Sequence, residues 1–235
     1  MIPDRRWWAD PAVRPALLLL FLLLLGDAAF VVLHYLSQIA PWVRFDNPEL
    51  YSLETDRGYA EFYQYMKELW IGVLFLVLAV RWREVGYVAW ALLFFFLLAD
   101  DALELHERVG GQIAAVMEFE PPFGLRRQDV GELAFVAAIG GAMLGLMSAF
   151  YVFGSPDFKK TTRFFFAGIC ALVSVGVGVD LIHSAVDFEW RLNLLLLTFE
   201  DGGELAIIST LCAASYFYTT ATPGSVVEKV DGSML

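Results

Sequence analysis

The chain is poor in the residues that most metal and redox proteins spend freely. It has 2 cysteines and 3 histidines in 235 residues. Cys170 and Cys212 both fall inside apolar runs, so there is no disulfide framework and no C-x-x-C metal knuckle. They read as small buried hydrophobes. Three histidines are too few for a membrane desaturase or hydroxylase. Gly-x-Ser-x-Gly, P-loop and Rossmann patterns are missing. Positive charge is scarce: 16 basic residues face 27 acids, a net charge of −11, which excludes nucleic acid as a partner. Lys67, placed where a helix begins, is a poor candidate for the deep lysine of a retinal protein.

What remains is apolar. The sequence is 58% hydrophobic with a positive mean hydropathy, the profile of a polytopic membrane protein. The pattern predicts an all-α fold of six transmembrane helices at about 15–35, 59–80, 86–107, 129–153, 163–187 and 194–218. They form a single domain over 1–222, with a short polar tail at 223–235. The first span is read as uncleaved, since no small-x-small site ends its apolar run. Breakers cluster in 36–57 and 109–128, where Gln112 to Met117 suits an interfacial piece. Small residues at Ala137, Gly141 and Gly145 predict close helix packing.

An even number of spans puts both termini on one side. That side collects nine of the 16 basic residues and six of the 27 acids. The tight turns carrying Arg81 and Arg83, and Lys159, Lys160 and Arg163, place it in the cytoplasm by the positive-inside rule. The acidic half then faces outward, into the periplasm if the membrane is a bacterial inner membrane.

The stretch Ala99-Asp-Asp-Ala-Leu-Glu-Leu-His-Glu-Arg108 closes the third span with four carboxylates and an imidazole. Charges at membrane depth cost roughly 2.5–3.5 kcal/mol each on insertion scales and mark function by default. Asp129 and Glu132, Asp180 and His183, and Glu200 and Glu204 repeat the arrangement on later spans. If the third span is one straight helix, Asp100, Glu104 and Glu107 share a face and His106 points away from it. Asp27 and His34 add a stripe on the first span. The acids lie at similar depth below the outer helix ends, so antiparallel packing predicts a common level.

Carboxylates gathered in this way cannot all ionise; protons or cations must hold them. The nearby cations, Lys67, Arg108, Arg126, Arg127 and Arg191, are too few and are expected at the rim. A divalent metal ion (iron, manganese, zinc or calcium) is therefore expected on Glu104, Glu132, Asp180, His183, Glu200 and Glu204. Asp100, Asp101, Glu107 and Asp129 are expected as catalytic or proton-relay groups. The set resembles the di-iron and di-manganese carboxylate bundles in its chemistry, with Asp-x-x-His in place of Glu-x-x-His. The implied function is a membrane metalloprotein acting on a lipid, quinone or other apolar small molecule. The alternatives are divalent-cation or proton transport, and a subunit or assembly factor bound to a membrane-complex partner or to a second copy.

Overall fold

A computed structural model describes residues 11–40, 42–118, 121, 125–185 and 190–221; side chains at 180–191 are not described. The described chain is all-helical. The helices are α1 Val13–Ile39, α2 Tyr59–Trp82, α3 Gly86–Leu103, α4 Leu105–Ala115, α5 Arg127–Phe153, α6 Pro156–Ala185 and α7 Trp190–Thr220, with a 3-10 turn at Pro48–Tyr51 before α2. Five of them, α1, α2, α3, α5 and α6, are long and apolar enough to cross a membrane. α7 has 31 residues but carries Glu200, Asp201 and Glu204, and it is not among the five.

Helix ends follow local chemistry. α2 stops where Arg83 takes a left-handed conformation, φ 53° and ψ 39°, and its N–H returns to Ala79 O. The turn to α3 is then short, and the two helices pack side by side. α6 begins at Pro156, whose missing N–H costs nothing at a helix start. Ser155 Oγ accepts from Phe158 N at 3.2 Å. The predicted turn at 154–162 is thus mostly helix, and Lys159 and Lys160 lie within α6.

The third predicted span is the largest departure. It ends at Leu103, because Glu104 adopts φ 51° and ψ 46° and a new helix starts at Leu105. The straight-helix stripe of Asp100, Glu104 and Glu107 does not form. α4 turns away and packs along α5 instead. Gly110 and Gly131 make this possible. A Cβ on Gly131 would collide with the Gly110 carbonyl oxygen, and one on Gly110 would sit 2.7 Å from Glu132 N.

α7 packs against α1, α2 and α6, and α2 packs against α3. Their shared interior is aromatic. Phe75 of α2 is fully buried among Tyr87, Trp90 and Phe94 of α3 and Phe165 of α6, with ring centroids 4.7–6.0 Å away. Trp90 Nε1 donates to Thr162 Oγ1 at 3.1 Å, so the indole is satisfied. α5 is mostly exposed, with 6% of its span buried; it joins this core through Met147 and Phe150 near its end and meets α3 through Phe96 and Phe135. The predicted packing stripe is corrected accordingly. Ala137 is exposed, and a Cβ on Gly140, Gly141 or Gly145 would meet nothing within 4 Å.

Candidate functional site

A lysine is among the polar side chains fully closed to solvent. Lys67 of α2 is 0% exposed and Asp27 of α1 is 4% exposed. Lys67 Nζ donates to Asp27 Oδ1 at 2.9 Å, to Leu205 O at 2.9 Å and to Ser209 Oγ at 3.1 Å. Ser209 Oγ donates in turn to the second Asp27 oxygen at 2.6 Å. The ammonium also lies 4.5 Å from the centre of the Tyr63 ring, whose hydroxyl reaches Leu23 O at 3.2 Å. All three ammonium protons are therefore used, and α1, α2 and α7 are tied at one point. The expectation that Lys67 sits at the rim is wrong. Asp27 inside an apolar run needs a cation at its own depth, and Lys67 is the basic residue that α2 brings there. A serine–lysine pair can also serve as nucleophile and base. Here the Ser209 proton is committed to Asp27 and the pair is closed to solvent, so it acts as a lock.

A second group of acids lies beside this lock. Glu68, the next residue on α2, is 1% exposed. Its carboxyl meets that of Asp101 from α3, and one of its oxygens is buried without a partner. Gln64, one helical turn up on α2, donates to Asp101 Oδ2 at 3.4 Å and also reaches Glu204 of α7. Tyr65 OH donates to Asp101 O at 3.2 Å. Glu204 presses against Gly176 of α6, where any larger side chain would displace it. Asp201, one turn outward on α7, has a buried oxygen with no partner and lies in the field of Glu54, Asp56 and Glu61. Two carboxyl groups hydrogen-bond each other only when they share a proton.

The expected metal ligands do not gather. Glu104, at the α3–α4 break, binds Arg57 at 2.6 Å and lies 3.5 Å from Arg108. Glu132 accepts from Gln128 Nε2 at 2.6 Å beside Gly110. Glu204 belongs to the Gln64 group, and Glu200 acts on it from one turn away. The side chains of Asp180 and His183 lie outside the described residues. Among the described residues no three His, Cys, Asp or Glu side chains stand close enough to hold a metal ion. Gln64 links Asp101 and Glu204, and Glu68 stands against Asp101, so the three are not gathered about one point.

The expected catalytic acids are similarly divided. Asp129 is spent on its own helix start: it accepts from Arg126 N at 2.8 Å, Nε at 2.9 Å and Nη2 at 2.6 Å. Glu107 is exposed on α4. Asp100 caps α4, taking His106 N at 2.8 Å, and the His106 ring Nδ1 is 3.3 Å from the same oxygen. His106 thus turns back toward Asp100, the reverse of the straight-helix expectation. The Asp100 hydrogen bond, with Glu132 and Glu107 nearby, raises its pKa to about 9.

His34, which shares the first span with Asp27, is bound to the segment before α2. Leu53 N donates to its Nδ1 at 3.1 Å, with Ser52 Oγ at 3.2 Å. A backbone N–H can only donate, so the ring proton sits on Nε2, which has no lone pair to offer a metal. Cys212 is buried as expected, while Cys170 is exposed.

Residues 16–217 match the family described as a domain of unknown function, DUF8692, and the chain belongs to it. No curated protein and no solved structure matches.

Proposed function

We propose that this member of DUF8692 binds protons from the outer side of a membrane, at a carboxyl site whose floor is closed. In this reading the chain crosses six times, α7 being the sixth span, with both termini cytoplasmic and the acidic half outside. A bacterial inner membrane with that half in the periplasm suits the basic turns after α2 and at the start of α6.

One observation carries the proposal: Glu68, Asp101 and Glu204 come from three helices and, among the described residues, pair with no cation. Lys67 is adjacent, but Asp27 already balances its charge and its three donors are taken. Three uncompensated carboxylates at membrane depth would cost several kcal/mol. Protons remove that cost most simply, and the Glu68–Asp101 contact requires one. Asp201, Glu61 and the acids of the 54–56 loop supply a graded route to the outer surface. Below Lys67, about 12 Å further along α2, the cluster of Phe75, Tyr87, Trp90, Phe94 and Phe165 holds no carboxyl or imidazole for onward transfer, and its Tyr87 hydroxyl and Trp90 indole are bonded to Thr161 and Thr162. The site takes up and releases protons on one side, which supports proton-responsive binding over conduction. A divalent-metal centre that recruits Asp180 and His183 is the competing reading.

The test is proton uptake. In weakly buffered proteoliposomes, an indicator dye records protons bound per chain after a small acid jump. Wild type is expected to take up protons that a Glu68→Gln/Asp101→Asn/Glu204→Gln variant does not, with no sustained flux in either. Equal uptake by both overturns the reading. So does one tightly bound metal ion per chain after chelator-free purification.

A further inference from the structure

We infer that α4 and α5 form one rigid hairpin that swings on the Glu104 break and is held shut by two charged ties. Three observations meet here. First, the hairpin is internally stiff. Gly110 and Gly131 bring the two backbones into contact so closely that a side chain at either position collides with the other helix. Gln128 Nε2 adds a bond to Glu107 O at 2.9 Å. Second, the hairpin meets the bundle along one side only. Phe135 touches Phe96, Met147 and Phe150 near the far end of α5 join the core, and a Cβ on Gly140, Gly141 or Gly145 would meet nothing within 4 Å.

Third, the connection to the bundle is a joint. Glu104 is a non-glycine residue in the left-handed region between two regular helices, a conformation that persists only where its surroundings impose it. The surroundings are the two ties. Arg57, from the segment before α2, holds Glu104 at 2.6 Å. His106, the second residue of α4, lies against Asp100 of α3 at 3.3 Å. At the other end of α5, Glu84 accepts from Ser155 N at 3.1 Å, so the hairpin pivots between two fixed points.

Asp101 follows Asp100 directly. An opening hairpin drags the end of α3 and changes access to the carboxyl site. That consequence rests on the proposed function; the hinge itself does not.

Double electron–electron resonance on the full chain in lipid nanodiscs tests the hinge. Spin labels go on cysteines at Glu54 and Val116, both exposed, in a Cys170→Ser/Cys212→Ala background. Wild type is expected to give one narrow distance distribution. Arg57→Gln/His106→Gln adds a longer-distance population. Restoring a permanent charge with His106→Lys in the Arg57→Gln background recovers most of the narrow one. An unchanged distribution in the double variant overturns the hinge. If that variant does not fold, His106→Gln alone is read by amide exchange. The hinge then requires α4 and the start of α5 to exchange together, roughly tenfold faster than in wild type. Acceleration confined to α4, or none, overturns it. Proton uptake is measured separately on unlabelled protein with Glu54 intact, so the hinge and the carboxyl site can fail independently.

Discussion

Lys67 Nζ and Asp27 Oδ1 lie 2.9 Å apart with both side chains closed to solvent. This pair and Ser209 fix the relative depth of α1, α2 and α7, and so the height at which every outward acid sits. Removing one partner strands a buried charge. Asp27→Asn and Lys67→Met should each destabilise the fold by about 3–5 kcal/mol, and Asp27→Leu/Lys67→Met by much less than the sum. Unfolding in mixed micelles by a denaturing detergent measures this. Equal, additive losses would show that the pair is not a unit.

The His106–Asp100 contact predicts a pH dependence with a definite sign. The folded pKa, about 9, lies above the ordinary 6.5, and the largest cause is the hydrogen bond to Asp100. The pair's stabilisation is therefore complete below pH 6.5, declines as pH rises, and is lost above about 9. Thermal unfolding should show wild type losing stability across that window relative to His106→Gln. The two curves should run parallel if the ring is not paired.

The glycines separate into two kinds. Gly131→Ala puts a methyl into the Gly110 backbone and should cost roughly 1–3 kcal/mol or prevent the α4–α5 pair from forming. Gly140→Ala and Gly141→Ala meet open space and should be neutral or slightly stabilising, since alanine favours helix. Comparing the three in one denaturation series decides it. A Gly140→Ala loss as large as that of Gly131→Ala would mean that another surface covers α5.

Glu204 faces Gly176 so closely that Gly176→Ala should displace the carboxyl and reduce proton uptake without touching an acid. The dye assay measures this. Uptake equal to wild type would place Glu204 outside the proton site.

The helical, membrane-spanning character was legible in the apolar runs, because lipid imposes a length that a sequence cannot disguise. Acids from different helices do act on one another, Asp101 on Glu204, but among the described residues they form no metal-holding group. Direction was not legible. The expected stripe on the third span assumed an unbroken helix, and nothing in Leu103-Glu104-Leu105 signals a stop; Arg57, 47 residues away, helps to hold it. Lys67 was misjudged because its neighbours Glu61, Gln64 and Glu68 make the start of α2 look wet. The clue was Asp27: an acid in the middle of an apolar first span requires a cation at equal depth. Two expected metal ligands, Glu104 and Glu132, and the expected relay group Asp129 each have a local partner, Arg57, Gln128 and Arg126, drawn from loops and helix starts that hydropathy does not place.

The central claim is that Glu68, Asp101 and Glu204 are kept together by shared protons. Infrared difference spectroscopy of the reconstituted protein at neutral pH, exchanged between H2O and D2O, measures this directly through the C=O stretch of protonated carboxyl groups. The account predicts a deuterium-sensitive carboxylic-acid band that weakens in Glu68→Gln, Asp101→Asn and Glu204→Gln. A wild-type spectrum showing only ionised carboxylates in that group would contradict it.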